Sequence, residues 1–583
     1  MKEDSFIGDP VIEFCDYSFK YRSQTEPTLK NISLKVFPGE KVLIVGPSGS
    51  GKSTISHCLN GLVPASYEGD ITGTLRVKGN DPAKAGVFGM SKIIGTVLQD
   101  TDGQFIGLTV AEDVAFALEN DMVPQNDMFK RVDDIAAIMD LKGLLHNAPW
   151  ELSGGQKQRV SMAGVMIDNV DILLFDEPLA NLDPASGRYA IELIDRICRI
   201  QDKTVIIIEH RLEDALYRDV DRIIVIGDGM IAADGSPDDI LAGDILEKEG
   251  IREPLYLTAL KHAGCTVDSS SHPQHIETMD TQRYKDNVRA WFREVNIPER
   301  EISEDTVLEV RDLSFSYIQG HEVLKNINFR INRGEMLSIV GKNGAGKSTL
   351  SSIICGFLQP TEGTMILNGN NISGLSISER GAKIGLVMQN PNQMISKPMI
   401  FDEVALGLTI REVPDDEVRE RVEKVLKICG LYPFRNWPVS ALSFGQKKRV
   451  TIASILVMNP EIIILDEPTA GQDYRHYTEI MEFLKDINEN YGITIIMITH
   501  DMHLMLEYTS RAIVIADGEL IRDDRPAAVL TQDEIISRAS LKRTSLYDLA
   551  VKCGIDQTTE FVERFIYDDR QRRINSNVQS TVV

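Results

Sequence analysis

The chain has 583 residues, 43 % of them hydrophobic and 26 % charged, the balance of folded globular protein rather than of disorder. At about 150 residues per domain its length allows roughly four units. A net charge of −25 argues against a nucleic-acid backbone as the main partner, because that contact needs a basic face.

Residues Met1 to Phe6 lack the apolar stretch of a secretory signal, and no run approaches the ~18 apolar residues that would span a bilayer. A membrane, if one is involved, must therefore come from another chain. Cysteines at 15, 58, 198, 265, 355, 429 and 553 form no CxxC and no close pair. Scattered reduced thiols are expected, not metal ligation, an iron–sulfur cluster or a disulfide framework.

Lys41 to Val45 is a short apolar run, as are Asp171 to Phe175 and Thr204 to Ile208. Such runs suit parallel strands buried on both faces. The first leads into Gly46-Pro47-Ser48-Gly49-Ser50-Gly51-Lys52-Ser53-Thr54, a GxxxxGK[ST] loop ahead of an expected helix. Glycines let backbone N–H groups turn onto phosphate oxygens, and the helix N-terminus adds positive potential. Lys52 is expected to reach the β/γ-phosphates and Ser53 to coordinate Mg²⁺. Gln99 follows, then Ser153-Gly154-Gly155-Gln156 within LSGGQ. Asp176 and Glu177 end the second run, where one carboxylate can hold the metal and its neighbour polarise water. His210 closes the third.

The same series then recurs. Gly341-Lys342-Asn343-Gly344-Ala345-Gly346-Lys347-Ser348-Thr349 is a second glycine loop, with Ser443-Phe444-Gly445-Gln446, Asp466-Glu467 and His500 in the same order. Lys52 and Lys347 lie 295 positions apart, whereas Gln99 and Gln389, Asp176 and Asp466, and His210 and His500 each lie 290 apart. One short insertion near Ser66 to Asp70 accounts for the difference. Asp228-Gly229 and Asp517-Gly518 mark hairpins. Val418, Val422, Val425 and Cys429 have helical spacing.

Two copies of one α/β domain are thus expected: 10–245 with a helical extension over 246–264, and 306–535 with an extension and tail over 536–583. Between them, 265–305 carries nine acids against five bases and reads as an acidic linker. If flexible, its ~41 residues would reach ~35 Å. The polar tail after about 560 is expected to be partly disordered.

These motifs resemble the ATP-binding-cassette (ABC) ATPases over roughly residues 10–240 and 305–530. The resemblance implies two P-loop NTPase domains in tandem, each with a parallel-sheet core, an antiparallel β subdomain and a helical subdomain. It makes ATP and Mg²⁺ the cofactors, with Ser53, Gln99 and Asp176, and Ser348, Gln389 and Asp466, on the metal side. Tyr21 and Tyr317 become adenine-stacking residues, and His210 and His500 γ-phosphate contacts. Family cassettes pair head to tail, which implies that Lys52, Asp176, Glu177 and His210 share a site with Ser443, Gly445 and Gln446. Lys347, Asp466, Glu467 and His500 would share one with Ser153, Gly154, Gly155 and Gln156. Phe444 departs from LSGGQ, so that site is altered. Asn181-Leu-Asp183 and Gly471-Gln-Asp473 both depart from the family's Ala-Leu-Asp.

Gln99-Asp100-Thr101-Asp-Gly-Gln104 with Thr109 to Phe116, and Gln389 to Gln393 with Phe401 to Leu406, resemble the QNPxxQ and TVxxEVAFG stretches of energy-coupling-factor (ECF) importers of vitamins or transition-metal ions. Copy one departs from QNP at Asp100 and Thr101. The implied partners are a transmembrane coupling subunit and a membrane-embedded substrate-binding subunit, with this chain peripheral on the cytoplasmic face of the membrane. Alternatives are a soluble tandem cassette acting on ribosomes or nucleic acid, and the ATPase of another importer class.

Overall fold

The structure, a computed structural model, describes residues 8–99, 102–180, 182–201, 203–298 and 305–580. Asp100, Thr101 and Asn181, singled out above, lie outside the described residues, as do residues 1–7 and the linker segment 299–304. The chain divides into two compact units, the first built mainly from residues up to Trp291 and the second mainly from those beyond it.

In the first unit a six-stranded sheet has the order Ile94–Val97, Ile172–Asp176, Thr204–Ile208, Lys41–Val45, Arg222–Gly227, Met230–Gly235. Its first five strands are parallel and the last is antiparallel. Every residue of the Lys41, Ile172 and Thr204 strands is buried, as unbroken apolar runs dictate when helices cover both faces. Asp228 and Gly229 both have positive φ, 45° and 78°, so the closing hairpin has the turn that matches strand twist. A second, antiparallel sheet joins Leu29–Val36, Ile12–Tyr21 and Gly69–Val77. Helices Val110–Asn120, Gln125–Ile138 and Gly154–Met166 supply the helical part.

The second unit repeats this plan. Its core sheet runs Ile384–Val387, Ile462–Asp466, Thr494–Ile498, Met336–Val340, Arg511–Ala516, Glu519–Asp524. The antiparallel sheet is His321–Asn332, Thr306–Ile318, Glu362–Leu367, Asn370–Asn371. Ile12 pairs with Val77, and Leu308 with Leu367. The 290-residue offset is therefore restored by Val77, which puts the insertion between the helix ending at Leu59 and that strand. Val418, Val422, Val425 and Cys429 are all buried, as their spacing requires.

Two expectations change. Residues 265–298, read as part of an acidic linker, carry a helix over Lys285–Glu294. Their earlier part is tied to the first unit: the Tyr256 hydroxyl donates to Pro273 O at 2.5 Å, and His275 Nε2 lies 2.7 Å from Asp219. A composition rich in Ser, His and acids hid these long-range contacts. The tail, read as partly disordered, is a helix over Thr558–Ser580 whose Phe561, Val562 and Phe565 are fully buried. Three apolar residues at helical spacing suffice to dock an otherwise polar helix. All seven cysteines are free thiols.

Candidate functional site

Each glycine loop joins a buried strand to a helix, Lys52–Leu59 in the first unit and Lys347–Cys355 in the second. The N-cap glycines, Gly51 and Gly346, have φ of 104° and 101°. A Cβ there would also lie 2.7 Å from Leu29 Cδ2 and 2.6 Å from Leu324 Cδ2, so only glycine lets the loop close onto its neighbouring strand. Lys52 Nζ donates to Gly46 O at 2.7 Å and Pro47 O at 2.8 Å. Lys347 Nζ donates to Gly341 O at 2.8 Å and Lys342 O at 3.0 Å. Both amines are held inside the curl of the loop, where a phosphate would displace carbonyls as their partner. Burial pulls the Lys52 ammonium below the ordinary lysine range.

Asp176 and Asp466 are the last residues of their strands. Burial, reinforced by the adjacent Glu177 and Glu467 charges, raises each aspartate to about 6. Ser53 and Ser348 lie beside the loop lysines on the opening helical turns. Glu177 and Glu467 adopt the left-handed region, φ 50° and 45°, in identical settings: each N–H donates at 2.9 Å, to Ile208 O and Ile498 O respectively. The left-handed turn recurs at these matching positions, as it does at Asn169 and Asn459. Gln99 Nε2 donates to Glu177 Oε2 at 2.5 Å. Burial acts to raise Glu177, but His210 and Lys52 outweigh it and the carboxyl stays below its ordinary value.

Around Gln389 the second unit differs. Lys448, almost fully buried, donates to Met388 O at 2.9 Å and Gln389 O at 2.8 Å, and burial lowers its ammonium to about 8. The corresponding Gln158 of the first unit donates to Pro178 O.

Tyr21 Oη lies 3.0 Å from Thr54 Oγ1, and Tyr317 Oη 3.2 Å from Thr349 Oγ1, so both tyrosines are pinned to the glycine-loop helices. Tyr317 is 62 % exposed and edge-on to Phe315 at 4.8 Å. The insertion adds Tyr67, edge-on to Tyr21 at 6.1 Å and stacked on His57 at 4.4 Å. Sequence reasoning missed this aromatic, although the five-residue offset pointed at its position.

The ABC transporter family model matches residues 29–180 and 324–470. The chain belongs to the ABC transporter family. A second family model, described as ATP-binding cassette cobalt transporter, matches residues 243–315. A Clostridium perfringens protein named as an ABC transporter ATP-binding protein is 57 % identical over 97 % of this chain and 99 % of its own length. An Enterococcus faecalis protein of the same description is 56 % identical over 97 % and 99 %. The chain is also similar to a solved Clostridium perfringens structure titled cbiO1, part of the ABC transporter complex cbiONQ: 39 % identity, 40 % of this chain and 94 % of that one, TM-score 0.38. This ABC protein is accordingly an ATP-binding ATPase with two cassettes in tandem. Among the described residues no helix is long and apolar enough to cross a membrane.

The signature serines of this ABC protein cap helices. Ser153 Oγ accepts from Gln156 N at 3.4 Å while Gln156 Oε1 accepts from Ser153 N at 2.8 Å. Ser443 and Gln446 make the same reciprocal pair at 3.3 and 3.0 Å. The glutamines therefore have a structural task that the motif alone does not reveal: they hold the serine at the helix start. Phe444 stands half-exposed on the first turn, and the capping geometry matches that of the first cassette.

Proposed function

We propose that this chain is the ATP-hydrolysing subunit of an ECF-type membrane importer for a vitamin or a transition-metal ion, with cobalt the candidate taken from the description of the 243–315 match. On this reading Gly46 to Thr54 and Gly341 to Thr349 cradle the nucleotide phosphates, and Tyr21 and Tyr317 carry the adenine. Glu177 and Glu467 take the proton of the attacking water, while His210 and His500 orient the γ-phosphate.

Ser53, Gln99 and Asp176, and Ser348, Gln389 and Asp466, would hold Mg²⁺. An ion of this kind is bound by one carboxylate, neutral oxygens and the nucleotide phosphates. Bound there, it would neutralise charge developing on the phosphates.

The observation that carries the transport reading is the loop after Gln104. Asp113 Oδ1 accepts the N–H groups of Ile106 at 2.8 Å and Gly107 at 3.0 Å, and the loop holds Ile106 and Leu108 65 % and 71 % exposed. Glu403, at the equivalent place, accepts from Ser396 at 2.9 Å and Lys397 at 2.7 Å. A carboxylate that shapes a loop so that two large apolar side chains face outward suits an apolar partner surface. The partners would be a transmembrane coupling subunit and a membrane-embedded substrate-binding subunit, with this chain peripheral on the cytoplasmic face. Affinity capture from gently solubilised membranes is expected to recover hydrophobic partner chains, and I106D with L108D to lose them while ATP turnover of the isolated chain persists. Recovery of ribosomes instead would sink the transport reading.

A further inference from the structure

The residue before the late histidine differs between the cassettes: Glu209 ahead of His210, Thr499 ahead of His500. Glu209 is 0 % exposed. Its Oε1 accepts the Leu179 N–H at 2.9 Å, and its Oε2 accepts those of His210 at 2.9 Å and Arg211 at 3.1 Å. Arg211 Nη1 adds a bond to Leu179 O at 3.0 Å. Amide donors on both oxygens are what a fully buried carboxylate requires. They also lock the histidine segment to the turn just past Glu177 without calling on Glu177 itself.

In the second cassette that task falls to the glutamate. Thr499 Oγ1 donates to Glu467 Oε2 at 3.2 Å, the His500 N–H donates to Glu467 Oε1 at 3.1 Å, and His500 Nδ1 lies 2.7 Å from the same oxygen. Both oxygens of Glu467 thus serve their own histidine segment. Glu177 stands 3.8 Å from His210 Nδ1, beyond hydrogen-bond reach.

We propose that Glu209 is a positioning residue of the first cassette: by holding the histidine segment it leaves Glu177 Oε1 available to water, Oε2 being taken by Gln99, so that the Glu177 site turns over faster than the Glu467 site. The inference rests on the reading of Glu177 and Glu467 as the water-activating groups. No covalent step is added; the water proton passes to the same carboxylate as before.

The test measures phosphate release by the full chain. Glu209→Thr, which installs the second cassette's residue, is expected to lower kcat roughly tenfold, the scale of a lost supporting contact, with the KM for ATP changed by less than about twofold. Glu177→Gln is expected to lower turnover more than Glu467→Gln. An unchanged kcat in Glu209→Thr, or KM rising in step with a falling kcat, overturns the proposal. So does a Glu467→Gln loss equal to or larger than that of Glu177→Gln, and this comparison decides alone if Glu209→Thr does not fold. Failure of the underlying reading is distinct: it shows as turnover persisting in the Glu177→Gln, Glu467→Gln double variant.

Discussion

His500 Nδ1 and Glu467 Oε1 lie 2.7 Å apart, whereas the equivalent His210 Nδ1 and Glu177 Oε1 lie 3.8 Å apart. An ionised carboxylate only accepts, so across this short contact His500 Nδ1 would be the donor. Burial acts to lower His210, but the Glu177 and Glu209 carboxylates outweigh it and hold the imidazole above its ordinary value.

Both glutamates take the same left-handed backbone and the same hydrogen bond from their N–H. Glutamine keeps that geometry and loses only the basic oxygen. The double Glu177→Gln, Glu467→Gln variant should therefore bind ATP as the parent does and lose roughly 10²–10⁴-fold in phosphate release, the range of a removed general base. Filter binding and steady-state turnover measured on the same preparation check both halves of the expectation.

The strand-end aspartates give a pH-dependent prediction. Asp176 and Asp466 are raised to about 6 by burial and a neighbouring negative charge, from an ordinary 3.8. Between those values the folded chain binds more protons than the unfolded chain, so their contribution to stability falls as pH rises through that window. Above about 6 both are ionised and penalised. Asp176→Asn and Asp466→Asn remove the penalty, and the nucleotide-free variants should melt higher than the parent at pH 7.5. The gain should shrink by pH 5 and be accompanied by lost turnover. Equal melting shifts at both pH values would show that burial does not strain these groups.

Much of this was legible because phosphate binding needs a fixed order of residue types. Gly51 must be glycine to adopt φ 104° beside Leu29, and Lys52 must follow it to point into the loop. Short buried strands need unbroken apolar runs, and Asp176 and Asp466 are the last residues of theirs. What stayed hidden depends on contacts far apart in sequence. Glu209 reads as one acid beside a histidine until Leu179 is brought to it, 30 positions away. Residues 265–298 look like a solvated connector until Tyr256 reaches Pro273. The capping role of Gln156 and Gln446 is hidden because a capping box and a phosphate site use the same residue types at a helix start.

That double use can be separated. Ser443→Ala should cost about 1 kcal/mol as a lost N-cap. Ser443→Asp should restore the cap, since aspartate accepts the same N–H, while placing a negative charge where the family resemblance puts a γ-phosphate. Thermal unfolding should then rank the parent level with Ser443→Asp and above Ser443→Ala, whereas ATP turnover should place Ser443→Asp lowest. If stability and turnover rank the variants alike, the serine acts on turnover only through its helix.

The terminal helix carries the last prediction. Phe565 is fully buried on Thr558–Ser580, while Ile574 on the same helix is 42 % exposed. Removing a buried aromatic side chain loses its transfer free energy and leaves a cavity, about 3 kcal/mol or more for Phe→Ala. A partly exposed side chain near a chain end costs within about 0.5 kcal/mol. Phe565→Ala should lower the melting temperature of the full chain by several degrees and make the tail accessible to protease, and Ile574→Ser should do neither. Equal behaviour of the two variants would mean that the helix is an appendage rather than part of the second unit's core.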